Sequence, residues 1–210
     1  VNMSAGARKT SVFVTHAACP VVTSNTPRTL YIEEQHPTLA LCAVHALNHL
    51  FQHKLFTSQP TRKVVLRNRE GIIINVRAIA LRADPSRSIN EAGNFSTDAV
   101  KRCLQWCGCS CIALYPSDFH HSFRTLLDMH LKHPGFLGCC CCNNVHYVTL
   151  CATKTGKGEA PRLRFMDSDR AKTELWKLPE VQQRLEESFC QQGPNGDCIV
   201  LFVSADCETA

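Results

Sequence analysis

The order of the apolar periodicities along the chain constrains its fold more than any other feature. Helical spacing begins at Leu41 and recurs after Ser96 and after Ser117-Asp118, which are predicted helix caps. Short apolar or alternating runs dominate beyond Gly135. Turn-forming residues separate three of these runs, at 135–142, 145–152 and 162–167. A last helix around Pro179 and a strand at 198–203 follow. Helices followed mainly by an antiparallel meander predict an α+β domain with segregated layers.

The length of 210 residues fits one generous domain with a tail. The first 32 residues contain no Asp or Glu and are rich in Ser and Thr, so we expect a tail at 1–28 and a domain at 29–206. An Arg-rich, less regular stretch from Lys54 to Asn94 indicates an insertion or a helical arm, with a helix running to Arg82.

Composition excludes several classes of protein. Hydrophobic residues make up 44% and charged residues 20% of the chain, as in ordinary globular domains. No apolar stretch approaches the roughly 18 residues of a membrane-spanning helix. The net charge of +5 is spread along the chain without a basic block, so neither a membrane nor a nucleic-acid partner is expected. We expect a monomer.

The fourteen cysteines include four consecutive ones, Cys139 to Cys142. Most lie too close to one another to pair as disulfides, which favours a reducing compartment and a role as small buried hydrophobic residues. We therefore expect a cytoplasmic protein, with the nucleus as a second compartment and an organellar transit peptide as the alternative. Zinc binding is an alternative role for the thiols, but neighbours in a strand point to opposite faces, so we expect no metal and no cofactor.

Three residues have the chemistry of a cysteine hydrolase. Cys42 begins a predicted helix, where unpaired backbone N–H groups favour a thiolate, the form that attacks carbonyls. His146 begins one predicted strand and Asp167 ends the next, so the two side chains can lie together. They would serve as nucleophile, general base and orienting acid. A buried structural thiol, a core histidine and a turn aspartate are the alternative interpretation.

Several segments resemble the Josephin family of papain-like deubiquitinases. The most specific is Leu41 to Gln52 (LCAVHALNHLFQ), which follows Tyr31 to Gln35 (YIEEQ). Three shorter matches occur in family order: Gly93 to Ser96 (GNFS), Val145 to Tyr147 (VHY) and Phe165 to Ser168 (FMDS). The resemblance covers about Leu30 to Ser204 and is closest to short members that consist of little beyond the domain.

The resemblance implies a papain-like fold, with a helical layer and arm packed on the sheet, and hydrolysis of isopeptide or peptide bonds at the ubiquitin C-terminus through a thioester. Cys42 would be the nucleophile, His146 the base and later the acid, and Asp167 the orienting acid. Gln35 would supply an oxyanion-hole amide beside the Cys42 backbone N–H. Ubiquitin and ubiquitinated proteins would be the partners.

The chain departs from the family pattern in three places. Gln35 lies seven residues before Cys42, where the family usually has five, so we expect a bulge at His36-Pro37. Tyr147 stands where the family usually has Trp, and the Cys139 to Cys142 run has no family counterpart. The shifted glutamine leaves a ubiquitin-binding protein without catalytic power as an alternative, and a zinc-binding domain is another.

Overall fold

The computed structural model describes residues 30–34, 41–68, 71–84, 89, 94–143, 146–153, 162–169, 172–188 and 198–206. Five helices lie in these ranges: α1 Cys42–Phe51, α2 Val76–Ala83, α3 Thr97–Trp106, α4 Phe119–His130 and α5 Leu178–Ser188. The strands are β1 Phe56–Thr57, β2 Val65–Asn68, β3 Gly71–Asn75, β4 Cys109–Leu114, β5 Phe136–Cys142, β6 Tyr147–Thr153, β7 Arg162–Asp167, β8 Lys172–Lys177 and β9 Ile199–Ala205.

Six strands form the main sheet in the order β4-β9-β5-β6-β7-β8, and every neighbouring pair is antiparallel. The predicted meander is confirmed as β5, β6 and β7. The hairpin partner β8 extends it, and β9 returns from the end of the chain to lie between β4 and β5. The α+β prediction, with helices on a mainly antiparallel sheet, is confirmed.

Helices cover both faces of this sheet. The first face carries α1, α2 and α3, whose core includes Leu47, Val100 and Leu104. The second carries α4 and α5, with Phe123 and Leu185 packed against Val148 and Phe202 of the sheet. Because both faces are covered, the central strands are almost entirely buried, which explains their continuous apolar runs.

The cysteine run of β5 divides between the two cores. Cys140 and Cys142 pack with α1, whereas Cys139 and Cys141 pack with α4 and α5. All four thiols are buried, and ten of the eleven described cysteines are buried and none forms a disulfide. The prediction that consecutive cysteines point to opposite faces and serve as small hydrophobic residues is confirmed.

Two predicted helix starts have different outcomes. The Ser96 side chain accepts a hydrogen bond from the Ala99 N–H at 3.2 Å, so the predicted cap of α3 is confirmed. The helix predicted after Ser117-Asp118 begins at Phe119 with Asp118 as its N-cap residue, but the Asp118 side chain makes no capping hydrogen bond. A 3-10 turn occupies 116–118, and the Asp118 carboxylate accepts from the Ser117 hydroxyl instead of a helix N–H. A short side chain with a local partner is unavailable to the backbone.

The stretch after Lys54 contains a second, small sheet as well as a helix. Its order is β1-β3-β2, with β1 parallel and β2 antiparallel to β3. The helical part is α2, which ends at Ala83, one residue beyond the predicted end at Arg82. The buried Asn75 side chain donates to the carbonyls of Gln59, Thr61 and Lys63, so it fixes the loop between β1 and β2. No helix in the described ranges is both long and apolar enough to cross a membrane.

Candidate active site

Cys42 is the first residue of α1, as predicted, and only 2% of its surface is exposed. The residue before it, Leu41, makes no side-chain cap, so the first turn of the helix presents backbone N–H groups without a capping side chain. The α1 helix packs on β5, β6 and β7. The hydroxyl of Thr149 in β6 donates to the Ala46 carbonyl at 2.8 Å, which joins the helix to the sheet one turn from Cys42.

His146 and Asp167 come together where two neighbouring strands meet. The β6 strand begins directly after His146 and the antiparallel β7 ends at Asp167, so both residues lie at the same end of this pair of strands. His146 Nε2 lies 2.7 Å from Asp167 Oδ1, and the Asp167 residue is 7% exposed. Asp167 also accepts the Asp169 N–H at 3.0 Å, which fixes its orientation after the strand.

His146 contacts Cys42 as well as Asp167. Burial of the imidazole alone would lower its pKa, but hydrogen bonds to Asp167 and Cys42 and the attraction of both groups outweigh that effect and raise the pKa to about 9. The imidazole is therefore protonated at neutral pH. Because Nε2 is engaged by the carboxylate, Nδ1 is the ring nitrogen directed toward the thiol. The structure thus brings together three of the four predicted site residues.

The turn before His146 is held by a residue that the sequence analysis missed. Asn143 Oδ1 accepts the His146 N–H at 3.0 Å, and the Asn143 N–H donates to the His146 carbonyl at 3.2 Å. The adjacent Tyr147 hydroxyl donates to the Phe95 carbonyl at 3.1 Å and ties this strand to the entry of α3. The turn-forming character of Asn143 was visible in the sequence, but its role beside His146 depends on tertiary structure.

The fourth predicted site residue, Gln35, lies outside the described residues, as do His36 and Pro37. The oxyanion-hole role of Gln35 stays a prediction. The described segment 30–34 stops one residue earlier, at Glu34. Three polar side chains of α1 and that of Gln52, which follows the helix, contact this segment. All four residues lie within the motif from Leu41 to Gln52, but these contacts were not predicted.

The zinc-binding alternative requires several thiol, imidazole or carboxylate groups close together. Within it, no group of three or more His, Cys, Asp or Glu side chains is arranged to hold a metal ion. Burial raises the pKa of the Cys139, Cys140 and Cys151 thiols, which therefore stay protonated at neutral pH. These thiols are inert core residues in this state.

A thiol at a helix start, contacted by an imidazole that is itself paired with a carboxylate, is the arrangement of the cysteine-protease class. Comparison with known proteins narrows the class. A family model described as Josephin matches residues 37–193, roughly three quarters of the chain. The chain belongs to the Josephin family, whose fold is that of a ubiquitin-related cysteine protease.

Part of the chain is also similar to a curated protein. Josephin-2 of Homo sapiens is 33% identical to this chain over 86 residues. The matched region covers 41% of this chain and 40% of Josephin-2, so the match spans about two fifths of the relative's length.

Proposed function

We propose that this protein is a cysteine-dependent deubiquitinase that hydrolyses isopeptide or peptide bonds at the ubiquitin C-terminus through a thioester. The observation that carries the proposal is the position of His146, which contacts Cys42 on one side and Asp167 at 2.7 Å on the other. An imidazole held in this way can both maintain a thiolate and deliver a proton. Family membership supports ubiquitin as the recognised group.

In the first half of the reaction, the Cys42 sulfur attacks the carbonyl carbon of the scissile bond. The carbonyl electron pair moves to oxygen, which becomes an oxyanion. Collapse of this intermediate breaks the C–N bond, and the His146 imidazolium gives its Nδ1 proton to the leaving amine. Asp167 keeps the ring oriented throughout and stabilises its charge.

In the second half, neutral His146 takes a proton from water, and the resulting hydroxide attacks the thioester. Collapse of this second intermediate breaks the C–S bond and restores the thiolate–imidazolium pair, and the released carboxylic acid loses its proton to solvent. Both halves place negative charge on the same oxygen. The Cys42 backbone N–H and the Gln35 side-chain amide are the proposed donors to that oxygen.

Partners and location extend the proposal. We propose ubiquitin and ubiquitinated proteins as the partners of a monomer that acts in the cytoplasm, with the nucleus as a second compartment. No role for nucleic acid, membrane, metal or cofactor is part of this mechanism.

The test is turnover of a fluorogenic reporter attached to the ubiquitin C-terminus. Cys42→Ala is expected to abolish turnover while leaving the melting temperature close to that of the parent. Cys111→Ala is a matched control, because this half-exposed thiol lies on the edge strand β4 and should be replaceable without loss of rate. Parental turnover in Cys42→Ala would end the nucleophile assignment. An inactive parent that still binds ubiquitin would favour the binding-only alternative, and stoichiometric zinc in the purified protein would favour the metal alternative.

The oxyanion donor is tested separately. Gln35→Ala is expected to lower kcat by about 10²-fold with little change in KM, because the amide acts mainly in the transition state. Gln35→Glu should be at least as harmful, since a carboxylate repels the developing charge. A Gln35→Ala enzyme with the kcat of the parent would show that other groups form the hole.

A further inference from the structure

A polar stripe runs along α1, although nine of its ten residues are buried. We call polar stripe the four residues His45, Asn48, His49 and Gln52, which are spaced at i, i+3, i+4 and i+7 and extend one residue past the end of the helix. All four side chains contact the segment 30–34, which we call the strap. Buried polar groups cost free energy unless they are paired, so such a stripe needs a specific reason.

Glu33 is the centre of these contacts. Its carboxylate accepts hydrogen bonds from His45 Nδ1 at 2.7 Å and Asn48 Nδ2 at 2.8 Å, and from the Tyr31 hydroxyl. Burial would raise the Glu33 pKa, but these hydrogen bonds and the attraction of His45 lower it, so the group is a carboxylate. The strap is therefore joined to α1 through the charged Glu33 carboxylate, which accepts several hydrogen bonds.

The strap backbone is held as well. The Glu33 N–H donates to His49 Nε2 at 2.9 Å, and the Tyr31 N–H donates to Gln52 Oε1 at 3.2 Å. The first bond needs a neutral imidazole as acceptor. Burial, as the largest effect, lowers the pKa of His49 to about 4, so the ring is neutral at physiological pH.

The direction of the strap points to the nucleophile. Tyr31 meets the C-terminal end of α1 and Glu33 meets its middle, so the strap runs antiparallel to the helix toward Cys42. His45 is about 4.5 Å along the axis from Cys42 at a rise of about 1.5 Å per residue. Glu33 is therefore held about one helical turn from the level of Cys42 along the axis of α1.

Two buried ring nitrogens of the polar stripe make no hydrogen bond in the described structure, which lowers rather than raises the stability of the fold. His45 Nε2 and His49 Nδ1 are buried, and neither has a hydrogen-bond partner in the structure as described. Apolar side chains in these places would hold a strap by packing without that cost. The charged Glu33 carboxylate fixes the position of the strap along the helix, which packing alone specifies less sharply.

We propose that Glu33 is a positioning residue for the reaction: its bonds to the polar stripe hold the strap, which runs along α1 toward Cys42. The proposal rests on the proposed hydrolysis, in which Gln35, two residues after Glu33 in the sequence, is the proposed oxyanion donor. The Glu33 bonds in the described structure are made to Tyr31, His45, Asn48 and His49 and to none of the three reacting residues. We therefore expect the reactivity of the thiol to persist when the Glu33 charge is removed.

The experiment compares kcat, KM and the rate of Cys42 alkylation by iodoacetamide in the full chain. Glu33→Gln is nearly isosteric and removes the charge. We expect kcat with the ubiquitin reporter to fall 10- to 100-fold, with KM and the alkylation rate within about twofold of the parent. Glu187→Gln on the exposed face of α5 is the matched control and should match the parent in all three.

A second pair of variants covers the case in which Glu33→Gln does not fold. His49→Leu removes the acceptor for the Glu33 N–H but fills the same buried space, so we expect a folded protein with kcat at least tenfold lower. His49→Gln offers a new acceptor and should restore part of the rate. Parental kcat in Glu33→Gln or, if that variant is unfolded, in His49→Leu overturns the proposal, as does a parallel loss of kcat and alkylation rate. If the parent hydrolyses the reporter, these results count against the Glu33 proposal alone. If the parent is inactive, the proposed function itself is wrong.

Discussion

Replacing Asp167 by alanine is expected to shift the alkaline limit of the reaction. The Asp167 hydrogen bond is the largest effect that raises the His146 pKa, and its charge raises it further. The rise from 6.5 to about 9 corresponds to about 3 kcal/mol of stabilisation of the imidazolium. Without Asp167, only the Cys42 contact still raises the His146 pKa, and burial of the ring lowers it. The His146 pKa should therefore fall to near or below 6.5.

The sign of the effect follows from the charged state of the ring. In the parent, the imidazolium persists until the pH rises through about 9, so kcat/KM should decline only above that value. In Asp167→Ala the same decline should occur near or below pH 6.5. At pH about 7.5 the variant would have roughly a tenth of His146 protonated, which alone costs about tenfold in kcat/KM, and loss of ring orientation adds to it.

The assay is kcat/KM for the ubiquitin reporter between about pH 5 and 10, with the His146 ring titrated by NMR. Asp167→Asn keeps an acceptor for Nε2–H and should be milder than Asp167→Ala. Asp128→Ala is the control, because Asp128 pairs only with Arg124 on the exposed face of α4 among the described contacts. An alkaline limit still near pH 9 in Asp167→Ala refutes the reasoning. Equal losses in the two Asp167 variants would mean that the charge itself matters, or that the residue is only structural.

Three further predictions concern stability. Gly138 has φ +144°, and an added Cβ would lie 2.1 Å from the Leu150 carbonyl oxygen, so Gly138→Ala should lower the free energy of unfolding by at least about 2 kcal/mol in urea titrations. Ser96→Ala removes the α3 cap and should cost about 1 kcal/mol, seen as a melting temperature about 2 to 4 °C lower. The His49 pKa is lowered from 6.5 to about 4, so the unfolded chain binds this proton first and stability should fall as pH drops through that window, by up to about 3 kcal/mol. His49→Gln should lack this part of the pH dependence in urea titrations at about pH 7 and 4.5, and an unchanged dependence would contradict the assignment.

Local patterns predicted the elements whose stabilising contacts are local or periodic. The apolar stripe of α1 and the Ser96 cap are examples, as are the three meander strands, because turns set the register of neighbouring strands. The Cys42, His146 and Asp167 site was predictable for a similar reason. Each of these residues stands at the end of an element, and element ends were marked in the sequence.

Features that depend on distant partners were not predicted. The short parallel pair β1 and β3 and the insertion of β9 between β4 and β5 join segments far apart in sequence. The β8 strand, with Glu174 and two lysines, is too polar to be recognised without its partner β7. The polar stripe of α1 lies within the quoted motif from Leu41 to Gln52, but its partners were not predicted because they are distant in sequence. The strap precedes the helix by about ten residues, and the Asn48 and Gln52 side chains also contact Phe56 and Met166.

The site spans two layers, and this explains why helix–sheet contacts matter as much as the three reacting residues. Cys42 belongs to a helix, whereas His146 and Asp167 belong to adjacent strand ends of the β6–β7 pair, in which Thr149 lies opposite Met166. A slip of one residue would move Asp167 by about 3.3 Å and turn its side chain to the other face. Thr149 also bonds to the Ala46 carbonyl of α1. Thr149 therefore takes part in the β6–β7 pairing and also contacts the helix that carries the nucleophile, so the geometry between thiol, imidazole and carboxylate depends on this short stretch of the sheet.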